Sequence, residues 1–128
     1  MKILGVGVDI TKNQRFNKLI KNKKFLKKTF GKNEIIFSKK TVYKTCFFAK
    51  RFAAKESLSK SLGTGFRNDL HFKDVEVLND KMGKPYFVKT KKINDIIKKR
   101  FNVKKYDLFL SISDEKDYSV AFTILQAF

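Results

Sequence analysis

Phe52-Ala53-Ala54-Lys55-Glu56-Ser57-Leu58-Ser59-Lys60 lies near the end of the longest helical pattern in the chain. From about Thr41 to Leu62, apolar residues recur at Phe47, Phe48, Phe52, Ala53, Ala54, Leu58 and Leu62, a spacing that buries one side of a helix. Gly63-Thr64-Gly65 follows and predicts a firm stop, because glycine readily takes the left-handed conformation that closes a helix. Glu56 and Lys60 are one turn apart and share a face. By periodicity alone they read as a surface ion pair.

Upstream, Ile3 to Ile10 predicts a strand in which Gly5 and Gly7 alternate with Leu4, Val6 and Val8. Glycine weakens a strand unless something packs close to its backbone. Asp9 falls at the strand's end, where it reads either as a presented carboxylate or as an N-cap for the segment after it. Asn13 to about Lys28 carries Phe16, Leu19, Ile20, Phe25 and Leu26 among lysines, which predicts an amphipathic helix ended by Phe30-Gly31-Lys32-Asn33. Downstream, Phe72 to Leu78 alternates as a half-buried strand, Asn79 to Gly83 is turn chemistry, and Lys84 to Val88 completes a hairpin. Ile93 to Phe101 predicts a short basic helix, and Tyr106 to Ile112 and Tyr118 to Leu125 predict two closing strands. With no repeats or linker, residues 1–128 are expected to form one α+β domain, with a mainly antiparallel sheet packed against the long helix.

Composition narrows the function less than it first promises. Thirty Lys and Arg against twelve Asp and Glu give a net charge of +18, which favours polyanionic partners: nucleic acid, an anionic membrane surface, or an acidic protein with a phosphate-rich ligand. Most of that charge is Lys, and Asn, Ile and Phe are plentiful too, a bias that an AT-rich genome could produce with no selection for a partner. No window approaches the ~20 apolar residues that cross a bilayer, and no N-terminal signal pattern is present. The expectation is a soluble, cytoplasmic protein without membrane contact. Cys46 is the only cysteine, so it forms no internal disulfide, and its apolar run predicts a small buried hydrophobe. An aromatic-basic RNA motif and zinc-finger spacing are both lacking, which argues against a small basic nucleic-acid-binding protein.

Gly7-Val8-Asp9, followed about forty residues later by Phe52-Ala53-Ala54-Lys55-Glu56-Ser57-x-x-Lys60, resembles the two-part signature of the 4′-phosphopantetheinyl transferases. Leu62-Gly63-Thr64-Gly65-Phe66, Gly83-Lys84-Pro85-Tyr86, Arg15 and Ser111-Ile112-Ser113 extend the likeness from residue 3 to about 124. Together with the short length they resemble the holo-acyl-carrier-protein synthase type rather than the longer two-lobed members. The resemblance implies the fold of that family and transfer of the phosphopantetheine arm of coenzyme A to a serine of an apo-acyl carrier protein, releasing 3′,5′-ADP. It implies Mg²⁺ bound by Asp9 and Glu56, a set that suits a hard cation bridging phosphates, and Lys60 directed at the same phosphates. Asp9, Glu56 and Lys60 are thus the expected catalytic residues, with a metal-bound water or Glu56 as the base for the acceptor serine. Where larger relatives can supply another acid two residues after the first Asp, this chain has Thr11, so water is expected to fill the coordination sphere.

By the same resemblance, Gly63, Thr64, Gly65 and Pro85 are expected to line the coenzyme A site, with Arg51 and Lys44 near the nucleotide. Lys55 lies inside the signature without a clear role. Relatives carry Ser-His after the penultimate strand, whereas this chain has Ser113-Asp114, which puts the role of that His in doubt; His71 reads as structural or exposed. The family also implies a homotrimer with active sites at subunit boundaries. The first helix is implied to dock the acidic carrier protein through Arg15, Lys18, Leu19, Lys21 and Phe25. A catalytically inactive coenzyme A-binding relative is the remaining alternative, and intact Asp9, Glu56 and Lys60 argue against it.

Overall fold

The computed structural model describes residues 1–63, 65, 66 and 70–128. Strand β1 (Lys2–Lys12) leads through a 3₁₀ turn (Asn13–Arg15) into helices α1 (Phe16–Leu19), α2 (Lys23–Thr29), α3 (Lys32–Ser38) and α4 (Lys44–Ser61). A second 3₁₀ turn (Phe72–Asp74) precedes the hairpin β2 (Val77–Asn79) and β3 (Pro85–Phe87). Helix α5 (Lys91–Phe101), β4 (Tyr106–Asp114) and β5 (Tyr118–Ala127) complete the chain. The larger sheet has the order β1-β5-β4, antiparallel throughout, with Gly7 opposite Thr123 and Asp9 opposite Ala121. In β4, Ile112 and Asp114 stand opposite Ala121 and Ser119.

The inner face of β1 explains its glycines. A Cβ placed on Gly5 would lie 1.9 Å from the carbonyl oxygen of Ser61, and one on Gly7 would lie 1.9 Å from that of Ser57. The backbones of strand and helix therefore meet without a side chain between them. Ser57 Oγ also bonds Thr123 Oγ1 of β5 at 2.6 Å. Gly7→Ala is expected to lower stability by about 1–3 kcal/mol through overpacking, read as a shifted urea midpoint. An unchanged midpoint would contradict this packing. One apolar cluster gathers Ala53, Ala54, Leu58, Val75, Ile93 and Leu125. A second collects Phe16, Phe30, Phe48 and Ala49.

Several elements depart from the periodicity reading. The helix expected over 13–28 is broken, because Asn22 starts a new one: its side chain accepts from the Phe25 backbone N–H at 3.1 Å, the usual work of an N-cap. The Phe30–Asn33 stop is itself the start of α3, which begins at Lys32 and is capped in part from far away. Both Asn33 and Glu34 donate backbone N–H groups to Glu76 Oε2, at 2.7 and 3.2 Å. The strand expected from Phe72 begins only at Val77, since Asp74 closes a turn by accepting from the His71 N–H. Cys46 is half-buried rather than buried, and its thiol donates to Asp114 Oδ2 at 3.2 Å.

Candidate active site

Asp9 stands on the inner face of β1 one pleat beyond Gly7, where the strand passes α4. Its two carboxylate oxygens have different partners. Oδ2 accepts from the Thr11 hydroxyl at 2.9 Å, and Oδ1 from Lys60 Nζ at 3.3 Å. Lys60 also donates to the Val8 carbonyl at 2.9 Å. The expected Glu56–Lys60 ion pair is therefore replaced by a pairing of Lys60 with Asp9, because the strand lies within reach of the helix face.

Glu56 is half-buried, and among the described residues it has no hydrogen bond or ion pair. Burial pushes its carboxyl above the ordinary value, and the charge of Asp9 adds to this. Lys60 and Arg15 act in the opposite direction. Two neighbouring carboxylates, one without a donor, form a pair whose mutual repulsion a cation would relieve. No group of three or more His, Cys, Asp or Glu converges among the described residues. A two-carboxylate site suits Mg²⁺, which keeps several waters and completes its shell with substrate phosphates.

A second cleft lies elsewhere on the molecule. Lys50, Arg51, Asn79, Gly83, Pro85 and Asp114 line it, and none of Asp9, Glu56 or Lys60 does. The Arg51 guanidinium lies 3.6 Å from the Phe47 ring centroid and donates to Asn79 Oδ1 at 2.8 Å, while its Nε has no partner among the described residues. Burial pulls its pKa down to about 10. A buried guanidinium with an unused donor retains capacity to hold an anion. Asp114, where the resemblance led to an expected His, lies in this same cleft, held by the Cys46 thiol. Lys44 borders a neighbouring hollow with Asn13, Tyr43, Asp114 and Lys116.

At the end of α4, Gly63 and Gly65 take left-handed backbone, with φ of +83° and +74°. Thr64 lies outside the described residues. Lys55 is fully buried: its ammonium pairs with Glu34 at 2.7 Å and donates to the carbonyls of Phe72 and Val75. It is a structural anchor and does not face a ligand.

Arg15, Lys18 and Lys21 are exposed on the first helical segments. Leu19 and Phe25 are half-buried and pack on the Phe16–Phe30–Phe48 cluster, so the apolar part of the expected docking face turns largely inward. Arg15 also stacks over Phe52 at 5.7 Å and lies close enough to Glu56 to act on its charge. Sequence reasoning missed the contact of Thr11 with Asp9, although the two-residue period of a strand places both on one face. It also missed Asn79 as the partner of Arg51, which no local pattern signals.

A model of the 4′-phosphopantetheinyl transferase superfamily matches residues 5–123. The chain is 58% identical over 126 residues to a holo-[acyl-carrier-protein] synthase of Pelagibacter ubique, covering 98% of each. Among solved structures, a holo-(acyl-carrier-protein) synthase from Bacillus anthracis in complex with CoA (3′,5′-ADP) has a TM-score of 0.80 at 34% identity, covering 98% of both chains. The holo-[acyl-carrier-protein] synthase of Neisseria meningitidis has a TM-score of 0.85 at 29% identity, covering 98% of this chain and 99% of that one.

Proposed function

The chain belongs to the 4′-phosphopantetheinyl transferase superfamily, and from that membership we propose the reaction and the residues that carry it. The protein is a holo-[acyl-carrier-protein] synthase: it transfers phosphopantetheine from coenzyme A to apo-acyl carrier protein. The observation that carries the site assignment is the Asp9–Glu56 carboxylate pair, which faces Lys60 across β1 and α4. No described helix is long and apolar enough to cross a membrane.

Asp9 and Glu56 would hold Mg²⁺ through one carboxylate each. Bound there, Mg²⁺ would neutralise the pyrophosphate and the departing 3′,5′-ADP. Lys60, more than half exposed and on the same face, is placed to swing from Asp9 to a phosphate oxygen. An oxygen of Glu56 not engaged by the cation would be the one to take the acceptor serine's proton. The second cleft would take the nucleotide end of coenzyme A, with Arg51 as its buried cation and Pro85 on its wall. Gly63 and Gly65 would allow close backbone approach to the cofactor. Apo-carrier protein, coenzyme A and Mg²⁺ incubated with this protein should give a carrier heavier by one phosphopantetheine. No gain across divalent metals would sink the reading.

Carrier docking rests on Arg15, Lys18 and Lys21, whose charge would speed association with an acidic helix. Arg15 links that surface to the chemistry through its proximity to Glu56.

A homotrimer is supported by the outer face of the sheet. Val6, Val8 and Ile10 of β1 are 53–63% exposed, and Phe109 of β4 and Phe122 of β5 are 43% and 41% exposed. Val8 stands opposite Phe122, so these side chains form one contiguous apolar surface of the sort that marks an interface. Phe122→Asp is expected to give a folded monomer by light scattering, with activity lost. A variant that remains trimeric would place the interface elsewhere.

A further inference from the structure

We propose that Thr11 is a positioning residue whose hydroxyl fixes the Asp9 carboxylate and thereby sets how tightly the Asp9–Glu56 pair holds a divalent cation. The inference rests on the metal site proposed above and goes beyond it, since Thr11 is not a ligand. Thr11 lies two residues along β1 from Asp9, so both side chains leave the same face of the strand. It is 1% exposed, and a hydroxyl so buried needs a partner inside the protein. That partner is Asp9 Oδ2, at 2.9 Å. An ionised carboxylate only accepts, so the proton in this bond belongs to Thr11.

The two clamps on Asp9 differ in stiffness. Lys60 reaches Oδ1 at 3.3 Å on a long, more than half-exposed side chain, and it has the Val8 carbonyl as a second acceptor. Thr11 is β-branched and enclosed, with little rotamer freedom. The residue opposite it, Ser119, has its hydroxyl committed to Asn13 Oδ1 at 2.7 Å and does not compete for the bond. Thr11 therefore orients the plane of the carboxylate, while Oδ1 becomes available once Lys60 moves to a phosphate. A carboxylate held at one oxygen keeps its remaining lone pairs directed, and losing such an outer partner typically weakens metal binding about 10- to 100-fold.

Thr11→Val keeps the shape and removes the hydroxyl, and Thr11→Ser keeps the hydroxyl. Mn²⁺ titrated into each purified protein, with free ion followed by electron paramagnetic resonance, reads affinity without turnover. Thr11→Val should bind Mn²⁺ about 10- to 100-fold more weakly, with Thr11→Ser close to the parent. The Mg²⁺ concentration for half-maximal rate should rise in parallel, while the rate at saturating Mg²⁺ stays near that of the parent. If Thr11→Val does not fold, Thr11→Ala carries the same comparison. Parent-like Mn²⁺ affinity without the hydroxyl overturns the role of Thr11. Absence of Mn²⁺ binding to the parent protein overturns the metal site itself, and that result appears before any substitution is made.

Discussion

Glu56→Gln is expected to lower turnover about 100- to 10,000-fold, the range for losing a group that moves a proton in the transition state, while the protein stays folded. The substitution conserves shape and removes one charge. Glu56 has no hydrogen bond or ion pair among the described residues, so no structural bond is lost with it. Its raised pKa reflects a charge held where burial and Asp9 both oppose it, so relieving that opposition should leave thermal stability equal or higher. Activity and stability then move in opposite directions, as expected where a site is electrostatically strained for its task. Intact-mass measurement of the carrier protein and a thermal melt check both halves. Undiminished turnover would remove Glu56 from the mechanism.

Lys55→Met should destabilise the fold by about 3–5 kcal/mol, the cost of leaving a buried charge without its partner. Both side chains of the Lys55–Glu34 pair are fully buried. Burial pushes the Glu34 carboxyl up and pulls the Lys55 ammonium down, and the charge of each opposes the shift of the other. Around them, Glu34 accepts backbone N–H groups from Gly31 and Val77, and Lys55 donates to the carbonyls of Phe72 and Val75. The pair thus joins α3, α4, the Phe72 turn and β2 at one point. Combining Lys55→Met with Glu34→Leu should cost markedly less than the two single changes added together, because the first loss already includes the stranded partner. Additive losses in urea unfolding would show that the two charges are not coupled.

How far the sequence could be read follows from how local each determinant is. Helix α4, the hairpin and the two closing strands were legible because their apolar periods are unbroken and their ends carry glycine or turn residues. Helix α3 was hidden behind a glycine read as a stop: Glu34 caps it locally by accepting from the Gly31 N–H, but its next N–H groups are held by Glu76, more than forty positions away. The split after Ile20 turns on Asn22, whose role as a cap is a local signal outweighed there by the apolar spacing around it. In the candidate site, Asp9, Glu56 and Lys60 were legible through their resemblance to a family signature. Their pairing was not, since helical spacing joins Lys60 to Glu56 whereas the fold joins it to Asp9. Lys55 was unreadable for the same reason: its partner Glu34 sits on another helix.

The close meeting of β1 and α4 ties evolutionary drift to catalysis. Gly5 and Gly7 face Ser61 and Ser57 across a gap that cannot admit a methyl group. A larger residue on the strand would be accepted only if the helix moved outwards. That shift would carry Glu56 and Lys60 away from Asp9. Descendants of this chain can therefore alter these glycines only in concert with the helix opposite, and selection on the chemistry should reject each intermediate step.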